Sequence, residues 1–321
     1  MKIHRLLIVV AALAAGPAFA QDDAAKYPTR SIRIIVGFAA GGGNDIIARI
    51  FAEKLAADLG QPVVVENKPG AGAIVGTEYV ARATPDGYTL LVGPTGMTVN
   101  QAIYAKLPYE STRDFVALSE LAAFPTILVV NASSSIKSVA DLTAYAKANP
   151  DKANYASASA SFQLVTELFK QKTGAPMQQI PYKSATEAVM AVVSGQVTTA
   201  FVDAGPASPQ IKAGTVRALA VAAPVRMADF PEVPTLKEIG TDVDGRLWTG
   251  AFAPKATPPA IAKKLEDEFV KIAKMPDVVA RLKALGVDAV GSSAEAFSRL
   301  VAADIARWAE VAKSANIKAE P

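Results

Sequence analysis

No cysteine occurs anywhere in the chain, and its only histidine is His4. Lack of cysteine excludes a disulfide framework, a thiol nucleophile and any thiolate metal ligand. Lack of histidine beyond position 4 excludes a Ser-His-Asp triad, a Cys/His zinc site and the side chain best suited to acid–base work near neutrality. Catalysis by carboxylates or lysine stays open. Long apolar runs are also missing: beyond the first twenty residues none approaches the roughly 20 residues needed to cross a bilayer. Basic residues are scattered rather than clustered, so the chain carries no footprint of nucleic-acid binding. Stability must come from apolar burial, for which 51% hydrophobic and 20% charged residues suffice.

Met1 to Ala20 reads as a secretory signal peptide. Lys2 and Arg5 form its positive start, Leu6 to Ala15 a short apolar core, and Ala18-Phe19-Ala20 an A-x-A cleavage site. The mature chain is expected to start near Gln21, outside the cytoplasm, without a membrane span. No cysteine follows the cleavage site to carry a lipid. Removing Lys2 and Arg5 leaves 31 basic against 30 acidic residues, so the elevated pI does not signal a polyanionic partner. The remaining length accommodates two domains.

The most informative stretch is Phe38-Ala39-Ala40-Gly41-Gly42-Gly43-Asn44-Asp45. The apolar run Ile32 to Val36 leads in, and Ile46, Ile47, Ile50, Phe51 and Leu55 lead out at helical spacing. Strand, glycine turn, helix is the reading, with Asn44 or Asp45 expected to cap the helix. Its first N–H groups lack intrahelical partners and carry the positive end of the helix dipole, which makes an anion site. The spacing is neither G-x-G-x-x-G nor that of a P-loop, which argues against nucleotides. A structural turn that binds nothing has the same sequence form.

Further polar turns follow apolar runs. Gly70, Gly72 and Gly76 come after Val63 to Glu66, and Thr95 comes after Tyr88 to Gly93. A second block opens near Leu121 with the strand Ile127 to Val130. Ser138 and Asp141 fit a capping box. Ser157, Ser159 and Ser161 precede a helix from about Phe162 to Gln171, Lys183 and Ser184 another, and Asp203 ends a strand. Each has an ordinary use: the serines and Asp203 as helix caps, Lys183 as a solvated charge. Were the two blocks facing lobes, these loops would line one cleft. Phe297, Leu300, Val301, Ile305, Trp308 and Val311 form an apolar stripe on a last helix. Trp248 and Trp308 read as core residues, with contact to a ligand the lesser alternative for Trp248.

Across essentially the whole mature chain the sequence resembles the Bug-type periplasmic solute receptors of tripartite tricarboxylate transporters. The resemblance rests on Tyr27-Pro28, the loop from Ile35 to Gly42 with Asp45 and Ala48-Arg49, the stretch Gly60 to Gly72, and Pro85 to Leu90. It continues through Tyr155-Ala156-Ser157, Pro181-Tyr182-Lys183, Gly195-Gln196-Val197, Arg217 to Val221 and Val233-Pro234-Thr235. It implies an α/β, two-lobed periplasmic binding protein (type II-like, a Venus flytrap), each lobe a mixed sheet flanked by helices. Expected bounds are 27–122 plus about 223–290 for lobe 1 and 123–222 for lobe 2, with the C-terminal helix 293–314 packing across both. The implied protein is no enzyme and uses no cofactor or metal. It is a monomer that holds a small organic carboxylate and delivers it to membrane permease subunits.

Ligand-binding residues are expected at Phe38, Ala40, Gly41, Gly42, Asn44, Asp45, Gly72, Thr95, Ser157, Ser159, Ser161, Gln163, Lys183, Ser184 and Asp203. The family often carries glycine where Ser184 stands, proline at Glu187, and glycines with a histidine around Ser159, Ser161 and Gln163. These departures place hydroxyl and amide groups where the far end of the ligand is read. Two alternatives share the fold: a sensory receptor presenting its ligand to a membrane signalling protein, and a carboxylate-acting enzyme using Asp45, Lys183, Glu187 or Asp203.

Overall fold

The apolar runs at Ile32–Val36 (β1) and Thr89–Pro94 (β3) become the middle of a sheet, almost wholly buried as their lack of polar alternation requires. The computed structural model describes residues 26–319; the expected signal peptide lies outside them. β1 pairs in parallel with β3 on one side and with β2 (Val63–Asn67) on the other. α1 (Gly43–Leu59) buries Ile47, Ile50, Phe51 and Leu55. It stops at Gly60, whose left-handed backbone (φ +66°) turns its N–H onto the Ala56 carbonyl at 3.1 Å. α2 (Ile74–Ala81) leads from β2 to β3. β4 (Phe115–Phe124), β10 (Leu247–Pro254) and β11 (Asp288–Ala289) complete a sheet of order β11-β4-β10-β3-β1-β2, β10 running antiparallel to β3 and β4.

The second sheet repeats the plan. β5 (Thr126–Asn131), β6 (Asn154–Ser157), β7 (Gln178–Pro181), β8 (Thr199–Asp203) and β9 (Val216–Ala222) take the order β7-β6-β8-β5-β9. As in the first sheet, three parallel strands lie second-first-third, with an antiparallel strand beside the third. Four helices flank it: α4 (Val139–Ala148), α5 (Ala160–Thr173), α6 (Ala185–Val193) and α7 (Ala204–Lys212). The expected capping box opens α4: Ser138 Oγ accepts the Asp141 N–H, and the Asp141 carboxylate accepts the Lys137 N–H, both at 3.0 Å. The architecture is the α/β one expected, two mixed sheets flanked by helices.

Two elements at the junction depart from the sequence pattern. The block boundary near Leu121 falls inside β4, which belongs to the first sheet. The expected turn at 94–97 instead starts α3 (Gly96–Ile103). The chain passes between the sheets at Pro125 and again along 223–246. α10 (Ala294–Ser314) joins them a third time. Its Phe297 and Val301 pack with Phe115, Trp248 and Phe252, while Trp308, Val311 and Ala312 pack with Leu128, Phe169 and Phe201. α8 (Pro259–Ala273) and α9 (Pro276–Ala284) cover the first sheet with Leu265, Phe269 and Leu282.

Gly250 in β10 is required by that packing. A Cβ there would stand 2.0 Å from Cζ of Phe297, a fully buried ring set edge-to-face on Trp248 with centroids 5.1 Å apart. Gly250→Ala is expected to cost about 1–3 kcal/mol in urea unfolding. Shortening the ring with Phe297→Leu should recover part of that loss in the double variant; strictly additive losses would refute the contact.

Candidate functional site

A cleft of about 400 Å³ opens between the two sheets, a size suited to a small metabolite. It sits where the parallel strands of both sheets end. The turn after β1 and the start of α1 contribute Phe38 and Asn44, the junction of β3 and α3 Pro94, Thr95 and Gly96, the junction of β6 and α5 Ser159 and Ser161, and β8 its last residue, Asp203. Four helices start at these same points: α1, α3, α5 and α7. Their leading N–H groups lack intrahelical acceptors and carry partial positive charge. Apolar walls come from Val99, Ile103, Tyr104, Phe124, Phe162, Leu247 and Trp248.

The glycine loop is braced from behind. Neither Asn44 nor Asp45 caps α1; the capping position is Gly42, which has no side chain to offer. Asp45 sits a turn into the helix and folds back. Its Oδ2 accepts the Gly41 N–H at 2.8 Å and Arg49 Nε at 2.9 Å, and its Oδ1 accepts Asn67 Nδ2 at 2.9 Å. Burial pushes this carboxyl up, but Arg49, the Gly41 N–H and Asn67 together outweigh it and hold it below the usual carboxylate range. Asn67 also donates to the Phe38 carbonyl at 2.9 Å. The loop itself is open: a Cβ built at Gly41 or Gly43 meets nothing within 4 Å. Behind it, Gly37 and Gly76 let two backbones touch, since a Cβ on Gly76 would lie 2.8 Å from the Gly37 Cα. That contact seats the β1 turn against the segment that carries Gly72 to the cleft. The Gly72 carbonyl accepts Asn100 Nδ2 at 3.1 Å.

Of the residues expected from sequence, Phe38, Asn44, Gly72, Thr95, Ser159, Ser161 and Asp203 line the cleft. Ala40, Gly41, Gly42, Asp45, Ser157, Gln163, Lys183 and Ser184 stand outside its lining. Several of these have other partners. Gln179 donates to Ser157 Oγ at 2.8 Å and accepts from Gln163 Nε2 at 2.8 Å. Ser184 caps α6 by accepting the Glu187 N–H at 3.2 Å, and the Glu187 carboxylate accepts the Lys183 N–H at 3.1 Å. Thr95 lines the cleft, but its hydroxyl serves the fold: it accepts the Trp248 N–H at 2.6 Å and donates to the Trp248 carbonyl at 3.2 Å. Ser161 falls in the first turn of α5 rather than in a turn before it. Thr249 donates to Asn44 Oδ1 at 2.6 Å, leaving the Asn44 amide N–H groups without a protein acceptor among the described residues. Val99, Asn100, Ile103, Phe124 and Thr249 were not signalled by the sequence pattern, and Trp248 read as core.

Asp203 is the one acidic or basic side chain in the lining. It occupies the capping position of α7, yet its side chain makes no capping bond. Its Oδ1 is sealed from solvent with no hydrogen-bond partner among the described residues. Burial pushes its carboxyl up to about 6, against a small opposing pull from its own N–H.

Comparison with known proteins follows this geometry. The family profile described as "Tripartite tricarboxylate transporter family receptor" matches residues 47–317. Protein BugT of Bordetella pertussis is 34% identical over 324 residues, covering 99% of each chain. A solved structure of an R. palustris protein with adipate is 31% identical, covers 91% of this chain and 99% of its own, and has a TM-score of 0.78. MatC from Rhodopseudomonas palustris with bound malate is also 31% identical, covering 89% and 99%, with a TM-score of 0.73.

A carboxyl whose pKa is raised by folding favours the folded state while protonated and disfavours it once ionised. The stabilising contribution of Asp203 is therefore present below about pH 4 and lost as pH rises through about 6. Asp203→Asn should match the unliganded wild type near pH 4 and exceed it above pH 7 by on the order of 2 kcal/mol. Urea unfolding at the two pH values checks this; a pH-independent difference would contradict the burial of an unpartnered carboxyl.

Proposed function

Because the chain belongs to the family of tripartite tricarboxylate transporter receptors, we propose that it is a periplasmic receptor that captures a small organic carboxylate in this cleft and delivers it to the permease subunits of such a transporter. One observation carries the reading: four helices direct their N-terminal ends into a cavity whose lining contains no lysine, arginine or histidine. Such a site holds an anion with backbone N–H groups, hydroxyls and helix dipoles, and needs no opposite charge. The adipate and malate of the two related R. palustris structures support a carboxylate as that anion.

Binding rather than turnover is favoured by the same lining. Acid–base chemistry on a bound ligand uses a titratable pair. Asp203 has no acidic or basic neighbour in the cleft, and Asp45, Lys183 and Glu187 stand outside its lining. On this reading residues 27–122 with about 223–290 act as one lobe and 123–222 as the other, closing on the ligand by bending at the crossings. The unliganded receptor is an open monomer.

A panel of di- and tricarboxylates, amino acids and aromatic acids should contain at least one that raises the melting temperature by a few degrees. A ligand at about 100 times its Kd adds roughly 2.7 kcal/mol. A flat panel, with no ligand released on denaturing the purified protein, would refute the carboxylate assignment. Ser159 and Ser161 line the cleft, and the Ser159 hydroxyl makes no capping bond to α5. Changing both to Ala should weaken the best panel member about tenfold or more, as lost hydrogen bonds to a charged group do. Unchanged affinity and selectivity by calorimetry would remove these serines from the site.

A further inference from the structure

Helix N-termini face the cleft from both sheets, but its one charged side chain stands on the side of the second. On the side of the first sheet it offers the α1 and α3 N-termini and the free amide of Asn44, all of them donors. On the side of the second sheet it offers the α5 and α7 N-termini with Ser159 and Ser161, and among them Asp203. Asp203 is out of place as an anion-site residue. It stands at the head of a helix, where an aspartate ordinarily caps by accepting an N–H, and it makes no such bond. Its Oδ1 is sealed from water, and no arginine, lysine, hydroxyl or amide of the described residues reaches it. Buried oxygens of this kind are nearly always hydrogen-bonded, and this one belongs to a side chain in the cavity wall, so the Asp203 carboxylate marks where a partner arrives.

We propose that Asp203 determines specificity: it receives a nitrogen donor, an ammonium or a carboxamide, at the end of the ligand away from its carboxylate, and so excludes a second carboxylate from that end. The proposal rests on the carboxylate reading above and narrows it to amino acids and amide-bearing monocarboxylates. The physical case is one of charge balance. A ligand dicarboxylate would bring its second anion against a buried acidic group, with no cationic side chain in the lining to offset the pair. An ammonium or amide N–H instead gives the Asp203 carboxylate a partner and offsets its desolvation. The carboxylate end of the same ligand stays with the α1 and α3 N-termini opposite. The dicarboxylates of the two R. palustris structures are thus the competing class.

The test uses probes matched in length: succinate against succinamate and γ-aminobutyrate, and glutarate against glutaramate and δ-aminovalerate. Each is titrated calorimetrically into the wild-type protein and into Asp203→Asn. In the wild type an amide or ammonium probe should bind about tenfold or more tighter than the dicarboxylate of its length. Asp203→Asn should reduce the ammonium preference to within about twofold. A wild-type protein that prefers the dicarboxylates, or a variant that keeps the wild-type ratio, overturns the proposal and leaves the carboxylate reading standing. Failure of every probe, together with a flat wider panel, overturns both. The wild-type ratio decides by itself should the variant not fold.

Discussion

Trp248 is the point on which the site's construction depends. Its backbone N–H and carbonyl are both bonded to Thr95, which fixes the β3 turn and the start of α3 against β10. Its indole N–H donates to Asp304 of α10 at 2.7 Å, and its ring packs on Phe252 and Phe297. Asp304 is buried, which pushes its carboxyl up, while Arg307 at 2.7 Å and the indole pull it back. One residue thus couples the first sheet, the helix that reaches both cores, and the wall of the cleft. Without that coupling the N-terminus of α3 would have no defined relation to that of α1.

The cleft's chemistry follows from using dipoles where a side-chain charge might be expected. A lysine or arginine in the lining would bind many anions indiscriminately and would shift with its own flexible stem. Helix ends and turn N–H groups are fixed by the backbone, so they select by position. The cost is that such groups must be left unbonded in the empty protein. The glycine turn manages this by remaining open to water, with Asp45 taking one of its N–H groups and holding the rest in place. Asp45 thereby acts on the loop from behind rather than on the ligand.

Much of the scaffold was legible in the sequence because its signals are local. Apolar runs such as Ile32–Val36 and Thr89–Pro94 have only one comfortable place, the middle of a covered sheet. Gly60 and Ser138 end and begin helices by rules that concern a few neighbouring residues. The missed elements lack such signals. β4 is interrupted by Ser119 and Glu120, whose burial depends on Ser292 and Arg246, far along the chain. α3 follows Pro94-Thr95-Gly96, which reads as a turn until Thr95 is known to be pinned by β10. Both lie at the cleft, so Val99, Ile103 and Phe124 escaped the pattern as well.

By itself the sequence determined the class of the protein. Two βα blocks, a glycine turn before a helix, and the near-absence of histidine and cysteine point to an α/β protein with a candidate anion loop, and the family resemblance narrows this to a solute receptor, because these properties reside in composition and in neighbours along the chain. Only the tertiary structure decided which loops share the cavity. It gave Asp45, Ser157, Gln163 and Ser184 partners of their own, kept Lys183 out of the lining, and put Asp203 in the cavity wall with one carboxylate oxygen unpartnered among the described residues. The reason is geometric. Whether a polar residue after a strand serves its own helix or the cavity depends on what packs against it from the opposite sheet, and that neighbour can lie over two hundred residues away, as Thr249 does from Asn44.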